Sequence, residues 1–293
     1  MALLVSALII GVTLGTIYGL MAFGMVASYR ISGVVNLGQA GVAALCAALY
    51  WRMEAVWAVP RAAAVPATLV LGGVLGAALG LFVLRLATWA KGLVMILTLA
   101  ITLLLLAAAD LILPLNNPAG APVFGSRGFD FALTYVTADQ IGSFVTCIAV
   151  AAVTTWALRR TRFGLFVRVI YDDPDTAATL GIPLTGYVIR VWALAGSMAG
   201  LAGILVSTRT TLATPLLLFV MVWGLSGAVL GGLESFALAF AGGLVLGIAE
   251  GMIGSMLAGY LAPGLENLTA VVIMAVGVLY VGRKRRHLAH LQT

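Results

Sequence analysis

The charged side chains of this sequence are concentrated in one short stretch near its middle. The chain has 16 basic and 10 acidic residues. This stretch holds Arg159, Arg160, Arg162, Arg168, Asp172, Asp173 and Asp175. Arginines at the end of an apolar segment can anchor it at lipid headgroups, and carboxylates can cap the start of a helix. These residue types therefore indicate attachment to a surface and helix capping.

The residues needed for hydrolysis or group transfer are missing from the rest of the sequence. A phosphate-binding loop needs a glycine directly before its lysine, but Lys91 follows an alanine and Lys284 follows an arginine. Both histidines, His287 and His290, lie in the C-terminal tail. We therefore predict no ATP site, no histidine general base, no metal site and no enzymatic activity in this chain.

A few polar residues interrupt apolar segments and could line a solute pathway. Glu250 lies deepest, about two-thirds along its segment, and Asn36 and Gln39 lie near a helix start. An ionisable residue inside a membrane is a functional candidate by default. Glu250 could relay protons in a carrier, or it could form a hydrogen bond between helices or face a polar cavity. Cys46 and Cys147 each lie alone in an apolar segment, so we interpret both as packing residues.

The composition predicts a membrane protein. The chain is 62% hydrophobic and 9% charged, whereas about 25% of the residues of an average soluble domain are charged. Apolar runs of about 20 residues, long enough to cross a bilayer, follow one another from end to end. We therefore predict an all-α, polytopic helical bundle in which residues 1–293 form a single domain. The first run lacks the basic start of a cleavable signal peptide, so we expect it to be retained.

The polar breaks between apolar runs predict about nine spans, within a range of eight to ten. The spans are expected near residues 3–28, 33–51, 62–84, 92–113, 139–158, 187–208, 213–231, 234–257 and 264–282. Segments 33–51 and 213–231 could instead be broken or re-entrant. Glycines recur every four residues in several spans and predict close helix packing. They are Gly11, Gly15 and Gly19, Gly72, Gly76 and Gly80, and Gly243, Gly247 and Gly251.

The basic residues predict the orientation of the chain. An outside N-terminus leaves only Arg52, Arg61, Arg127 and Arg209 outside, so 12 of the 16 basic residues face inward. Basic residues in short loops favour the cytoplasm, which predicts a cytoplasmic C-terminus with a basic tail at 283–293. The positive net charge has the same cause and does not indicate nucleic-acid binding. Residues 114–138, rich in turn formers, then form an outer loop, and 159–186 form a cytoplasmic one.

The acidic half of the charged stretch has the features of a short helix. Asp172 or Asp173 can cap its start, with Pro174 in the first turn. Gly181 can end it, and Pro183 cannot continue it. Such a helix between two spans could be an interfacial anchor or a docking element.

A longer pattern around this helix resembles a known family. "TRFGLFVRVIYDDPDTAATLGIPLTGYVIRVWALAGSMAGLAGIL", residues 161–205, looks like the loop and following helix of the branched-chain amino acid permeases. The matching positions are Arg160, Phe163, Gly164, Arg168, Leu180, Gly181, Ile182, Ala199, Gly200, Ala202 and Gly203. "GVTLGTIYGLMAFG" and "VLGGLESFALAFAGGLVLGIAEGM" resemble two further family segments. This chain departs from the family at Gln39, where histidine is common, and at Glu234, where glycine is usual.

The resemblance implies a permease subunit of an ATP-binding-cassette importer in the bacterial cytoplasmic membrane. Such a subunit works with a second permease, identical or homologous, with two cytoplasmic ATPases that hydrolyse ATP, and with an extracytoplasmic solute-binding protein. The implied ATPase-coupling residues are Arg162, Phe163, Gly164, Arg168, Asp172, Asp173, Asp175, Thr176, Ala177, Leu180, Gly181 and Ile182. The implied solutes are branched-chain or related small amino acids. An importer for an amide, urea or another amino acid, and a stand-alone carrier or channel using Glu250, remain as alternatives.

Overall fold

A computed structural model describes residues 2–114, 119–131, 134–209, 214–256, 272 and 275–276. Its described part contains ten helices and one two-stranded hairpin. The helices are α1 (Ala2–Ser32), α2 (Gln39–Ala55), α3 (Arg61–Arg85), α4 (Lys91–Ile112), α5 (Ala138–Arg160), α6 (Arg162–Asp172), α7 (Pro174–Thr179), α8 (Leu184–Ser207), α9 (Thr214–Leu230) and α10 (Phe236–Met256). The strands are β1 (Gly128–Phe131) and β2 (Thr134–Thr137).

Six helices in the described residues are long and apolar enough to cross a bilayer: α1, α3, α4, α5, α8 and α10. They correspond to six of the nine predicted spans. The two segments that were ambiguous in the sequence form shorter helices, because α2 and α9 have 17 residues each. The predicted span 264–282 lies outside the described residues except at positions 272, 275 and 276.

Helix α2 begins six residues later than the apolar run predicts. The chain leaves α1 at Gly33, which has a φ of +67°, a conformation that glycine adopts without strain. Residues 33–38 then turn, and the helix starts only at Gln39. Segment 33–51 is therefore a break followed by a buried helix, as the polar residues Asn36 and Gln39 suggested.

Helices α1 and α8 form the centre of the bundle. Helix α1 packs against α5, α8, α9 and α10, and α8 packs against α1, α2 and α3. Glycine makes these approaches possible: a Cβ added at Gly247 of α10 would lie 2.2 Å from the Gly15 Cα of α1. A Cβ at Gly76 of α3 would lie 2.2 Å from the Trp192 carbonyl of α8. The predicted role of the repeated glycines in close packing is confirmed at these contacts.

The loop before α5 contains the antiparallel hairpin, which the all-helical prediction did not include. Gly128 pairs with Thr137 and Phe131 with Thr134. The hairpin leads directly into α5 through a capping box, in which the Thr137 hydroxyl accepts from the Gln140 amide and the Gln140 side chain accepts from the Thr137 amide. These paired bonds satisfy donors that a helix start leaves free, so they fix how the loop meets α5.

Candidate functional site

The charged stretch folds into two helices, although the sequence predicted only one. Thr161 caps the start of helix α6, and its hydroxyl accepts a hydrogen bond from the Gly164 amide at 3.3 Å. A Cβ on Gly164 would lie 2.0 Å from the Leu158 carbonyl oxygen, so only glycine allows α6 to turn this tightly from α5. Val167 and Ile170 follow on the same buried face. Their spacing with Gly164 is the signal that could have predicted this helix.

Aromatic contacts attach α6 to the bundle. The ring of Phe163 stacks on Tyr187 of α8 with centroids 5.6 Å apart, and Phe166 meets the same tyrosine edge-on at 5.7 Å. At the other end of α6, the Arg30 guanidinium of α1 lies 4.5 Å from the centre of the Tyr171 ring. Such contacts contribute roughly 0.5–1.5 kcal/mol each. Helix α6 is therefore held against both α1 and α8.

Asp173 caps α7. Its Oδ1 atom accepts from the backbone amides of Asp175 at 3.0 Å and Thr176 at 3.2 Å, and its Oδ2 atom accepts from the Thr176 hydroxyl. The hydroxyl bond and then the amide bonds hold the pKa of the Asp173 carboxyl below its ordinary value, because they favour its charged form. Of the two predicted caps, Asp173 is confirmed. Asp172 is instead the last residue of α6.

Helix α7 ends as the sequence predicts. Gly181 takes a φ of +72°, and the Ile182 amide donates to the Ala177 carbonyl at 3.0 Å. These are features of a glycine-terminated helix end. Ala177 is the only buried residue of α7, and Leu180 just beyond is 67% exposed. A six-residue helix with one buried position projects most of its side chains outward.

The implied coupling residues divide into three groups. One group is exposed and forms what we call the α7 surface: Asp172, Asp173, Asp175, Thr176, Leu180 and Gly181. The second group packs inward or fixes the turn: Phe163, Gly164, Ala177 and Ile182. Arg162 and Arg168 are exposed on α6, and Arg168 reaches back to the Arg159 carbonyl at 3.3 Å. The fold thus brings the implied residues into one region.

The polar residues Asn36 and Gln39 lie at the break between α1 and α2, where both are completely buried. Neither side chain has a hydrogen-bond partner for its amide nitrogen or oxygen among the described residues. Gln39 is pressed against α1, where a Cβ on Gly24 would lie 2.6 Å from its Nε2 atom. A buried amide without a partner costs roughly 1–3 kcal/mol. The burial of these two amides at the α1–α2 break is therefore unfavourable in free energy.

Glu250 bonds to a neighbouring helix. The Tyr18 hydroxyl of α1 donates to its Oε2 atom at 2.7 Å, and the Tyr18 ring stacks on Trp223 of α9 at 5.3 Å. The interhelical hydrogen bond that the sequence left open is therefore present. Along α1, Tyr18 lies about 9 Å from Gly24, beside which Gln39 packs. The structure therefore places Glu250 and Gln39 at different levels of the bundle.

An ion pair near the hairpin was missed in the sequence. Arg209, just after α8, donates from Nη2 to Asp139 Oδ2 at 3.3 Å and to Ser143 Oγ at 3.0 Å. Thr208 also donates to Asp139 Oδ2, and the Phe124 amide donates to Oδ1. Burial lowers the pKa of the Arg209 guanidinium, while the facing carboxylate opposes that shift. Asp139 and Arg209 carry opposite charges and lie at the ends of two predicted spans. This was the sequence signal from which the ion pair could have been predicted.

The described residues contain no group of three or more His, Cys, Asp or Glu side chains placed to hold a metal ion. The polar groups of the candidate site are the exposed carboxylates of the α7 surface, the buried amides of Asn36 and Gln39, and the carboxylate of Glu250. Of these, the α7 surface is the part that a protein partner could reach without rearrangement of the bundle.

Comparison with known proteins matches nearly the whole chain to one family. Residues 7–281 match the family described as "Branched-chain amino acid transport system / permease component". The chain is 26% identical over 283 residues to the probable branched-chain amino acid transport permease protein LivH of Methanocaldococcus jannaschii, covering 89% of this chain and 85% of that protein. It is 27% identical over 260 residues to the high-affinity branched-chain amino acid transport system permease protein LivH of Escherichia coli, covering 83% of each.

Two further likenesses are more distant. The fructose import permease protein FrcC of Rhizobium meliloti is 25% identical over 123 residues, which are 42% of this chain and 32% of that protein. Among solved structures, PsaBC from Streptococcus pneumoniae in complex with Fab has a TM-score of 0.52 at 14% identity. The match covers 95% of this chain and 91% of that one. At this identity the likeness concerns the fold alone.

Proposed function

Because the chain belongs to the branched-chain amino acid transport permease family, we propose that it forms the pathway for a small amino acid in an importer driven by ATP. Its place in that family makes it a multi-pass permease of an ATP-binding-cassette importer, and not an enzyme. Hydrolysis of ATP by separate subunits is general for such importers. The proposed assembly contains this chain, a second permease, two cytoplasmic ATPases and an extracytoplasmic solute-binding protein.

The single observation that carries the coupling proposal is the α7 surface. The α7 surface exposes three carboxylates, at the end of α6, at the cap of α7 and in its first turn, together with Leu180 just beyond the helix. The only buried residue of α7 is Ala177. Exposed apolar and charged groups on a rigid element suit a protein contact. Helix α6 links this surface to α1 and α8 through its aromatic contacts. A displacement of α7 would therefore be transmitted to the two central helices, α1 and α8.

The proposed solutes are branched-chain or related small amino acids. Two relatives that cover more than four-fifths of the chain carry that name. The shorter likeness to a fructose permease supports a wider range of solutes in the family, so an amide, urea or another amino acid is the alternative. The departure at Gln39, where histidine is common in the family, falls at a buried position and suits a change in the transported solute.

We also propose that the α1–α2 break is part of the pathway. Asn36 and Gln39 bury four amide atoms that have no partner among the described residues, and such groups are costly unless another state satisfies them. In an alternating-access cycle, the passing solute or a shifted helix would supply the missing bonds. Glu250 has a bond to Tyr18 and so fits an interhelical role better than a proton relay. The family membership likewise favours the importer over a stand-alone carrier.

Charge reversal on the α7 surface tests the coupling proposal. Asp172 and Asp175 are exposed and do not cap α7, so the double change Asp172→Lys and Asp175→Lys leaves the Asp173 cap in place. We expect solute-stimulated ATP hydrolysis by the purified complex to fall at least tenfold, and the ATPase subunits to dissociate in mild detergent, because a partner surface complementary to the carboxylates would then meet like charges.

The matched control is Asp130→Lys, which reverses an exposed carboxylate on the β1–β2 hairpin. We expect this variant to keep its ATPase subunits and its stimulated hydrolysis. If the α7 double variant retains both properties at the control level, then α7 does not couple to an ATPase.

A further inference from the structure

A cavity of about 290 Å³ lies behind α6. Residues from α1, α5, α6, α8 and the turn between α9 and α10 line it. Its charged residues are Arg30, Arg159, Arg168 and Glu234, so arginines outnumber carboxylates by three to one. The remaining wall is largely apolar, with Leu158 and Val191 among its members. The cavity thus combines a positively charged rim with an apolar interior.

A second, open groove of about 570 Å³ continues from this cavity. The cavity and groove share Thr155, Arg159 and Phe236. The groove runs between α5 and the start of α10, and its walls include Ile148, Ala152, Trp156 and Phe240. Arg160 adds a fourth arginine at its charged end.

The length of the groove matches one leaflet of a bilayer. From Arg159 back to Ile148 the groove follows one face of α5 for about three turns, or roughly 16 Å. The hydrocarbon core of a bilayer is about 30 Å thick, so a single leaflet contributes about half of that. Trp156 on this face is 62% exposed and lies one turn before Arg159 and Arg160, and an exposed tryptophan next to basic residues suits the lipid–water boundary.

We propose that this composite site binds an anionic phospholipid. The phosphodiester group lies among Arg30, Arg159 and Arg168, and one acyl chain lies along the α5–α10 groove. Basic pockets between transmembrane helices are suited to the headgroups of anionic lipids, and a pocket of net positive charge attracts a lipid of net negative charge more strongly than one of zero net charge. Because Gly164 and Arg168 of α6 line the cavity, the bound lipid braces α6 against α1.

Native mass spectrometry of the full-length chain, purified in mild detergent, tests this site. The chain is titrated with phosphatidylglycerol and with phosphatidylcholine of the same acyl chains, each with and without millimolar inorganic phosphate. We expect the first adduct of phosphatidylglycerol to form at least tenfold more tightly than that of phosphatidylcholine. Inorganic phosphate should not displace it, because phosphate cannot occupy the apolar groove.

Two kinds of variant separate the charged and apolar parts of the site. Arg30→Gln with Arg159→Gln should weaken phosphatidylglycerol binding by roughly fivefold for each arginine and abolish the preference over phosphatidylcholine. Ala152→Phe should fill the groove and weaken both lipids without any change in charge. The matched controls are Arg85→Gln and Val153→Phe, which alter exposed positions outside the site and should bind as the original chain does.

Three results would overturn the proposal. One is equal binding of the two lipids by the original chain, and a second is unchanged phosphatidylglycerol binding by the Ala152→Phe variant. The third is displacement of the lipid by inorganic phosphate, which would make the cavity a site for free anions. Each variant is first checked for a single symmetric peak on size exclusion, so that a loss of adducts reports on binding.

Discussion

At the scale of single residues, some polar side chains of the candidate site have hydrogen-bond partners among the described residues and others do not. Asp173 accepts three hydrogen bonds at the start of α7, and Glu250 accepts one from Tyr18. Asn36 and Gln39 have no partner within the described part of the chain although both are wholly buried. Satisfied groups stabilise the state in which they are seen. Unsatisfied ones indicate a second state or a ligand that completes them.

Replacement of Gln39 by leucine tests this interpretation. The change removes two buried polar atoms that have no partner in the described part of the chain and keeps a similar volume, so we expect stability to be unchanged or raised by about 1 kcal/mol. If the amide serves transport, solute uptake by the reconstituted importer should fall severalfold. The measurements are the thermal midpoint in detergent and the initial rate of labelled solute uptake.

The control for this change is Gln140→Leu, which removes an amide from the capping box of α5. It should lower stability, because Gln140 accepts from the Thr137 amide, and it should leave uptake per folded molecule unchanged. A Gln39→Leu variant with full uptake would remove Gln39 from the proposed pathway.

At the scale of elements, the close contact between α1 and α10 depends on glycine. Gly247 of α10 faces Gly15 and Gly11 of α1, and a Cβ there would lie 2.2 Å from Gly15 and 2.6 Å from the Gly11 carbonyl oxygen. Gly254, two turns further along α10, has no atom of the described residues within 4 Å of the corresponding point. The same helix therefore offers a crowded glycine and an open one.

Alanine at these two positions should change stability in opposite directions. Gly247→Ala should destabilise the bundle by roughly 1–3 kcal/mol, because two backbones must separate. Gly254→Ala should be neutral or stabilising by up to about 1 kcal/mol, because alanine favours the helix. Thermal unfolding followed by intrinsic fluorescence measures both. If the two alanine variants change the stability equally and in the same direction, then α1 and α10 are not as close at Gly247 as in this structure.

The sequence predicts the long helices well because their apolar runs reflect the thickness of a bilayer. The predicted spans 62–84 and 92–113 differ from α3 and α4 by one residue at each end. Helix α6 was missed because its arginines were interpreted only as membrane anchors, although its apolar residues recur at helical spacing. The hairpin was missed because proline and glycine indicate turns without specifying which segments pair across them.

The contacts of the candidate site are harder to predict than its residue types. Glu250 and Tyr18 are 232 positions apart in the chain, and Arg209 and Asp139 are 70 apart. Which of these meet depends on how the helices pack, and no local pattern contains that information. The Asp173 cap involves only residues two and three positions away, so it could be predicted from the sequence alone.

At the scale of the whole molecule, α5 separates two exposed regions. The β1–β2 hairpin enters α5 at Thr137, and α6 leaves it after Arg160. A helix of 23 residues extends about 34 Å, which exceeds the hydrocarbon core of about 30 Å. The hairpin and the α7 surface must therefore lie on opposite sides of the bilayer if α5 spans it. The basic residues predict that the α7 surface is the cytoplasmic one.

Single introduced cysteines test this orientation. The two native cysteines, Cys46 and Cys147, are both buried, so they contribute little background to labelling by a membrane-impermeant maleimide. We expect Ser126→Cys, in the exposed turn before the hairpin, to be labelled in intact spheroplasts. Thr179→Cys, on exposed α7, should be labelled only after the membrane is permeabilised. The reverse labelling pattern would mean the opposite orientation, with the α7 surface outside the cell. No cytoplasmic ATPase could then reach this surface, so that result would contradict the coupling proposal as well as the predicted orientation.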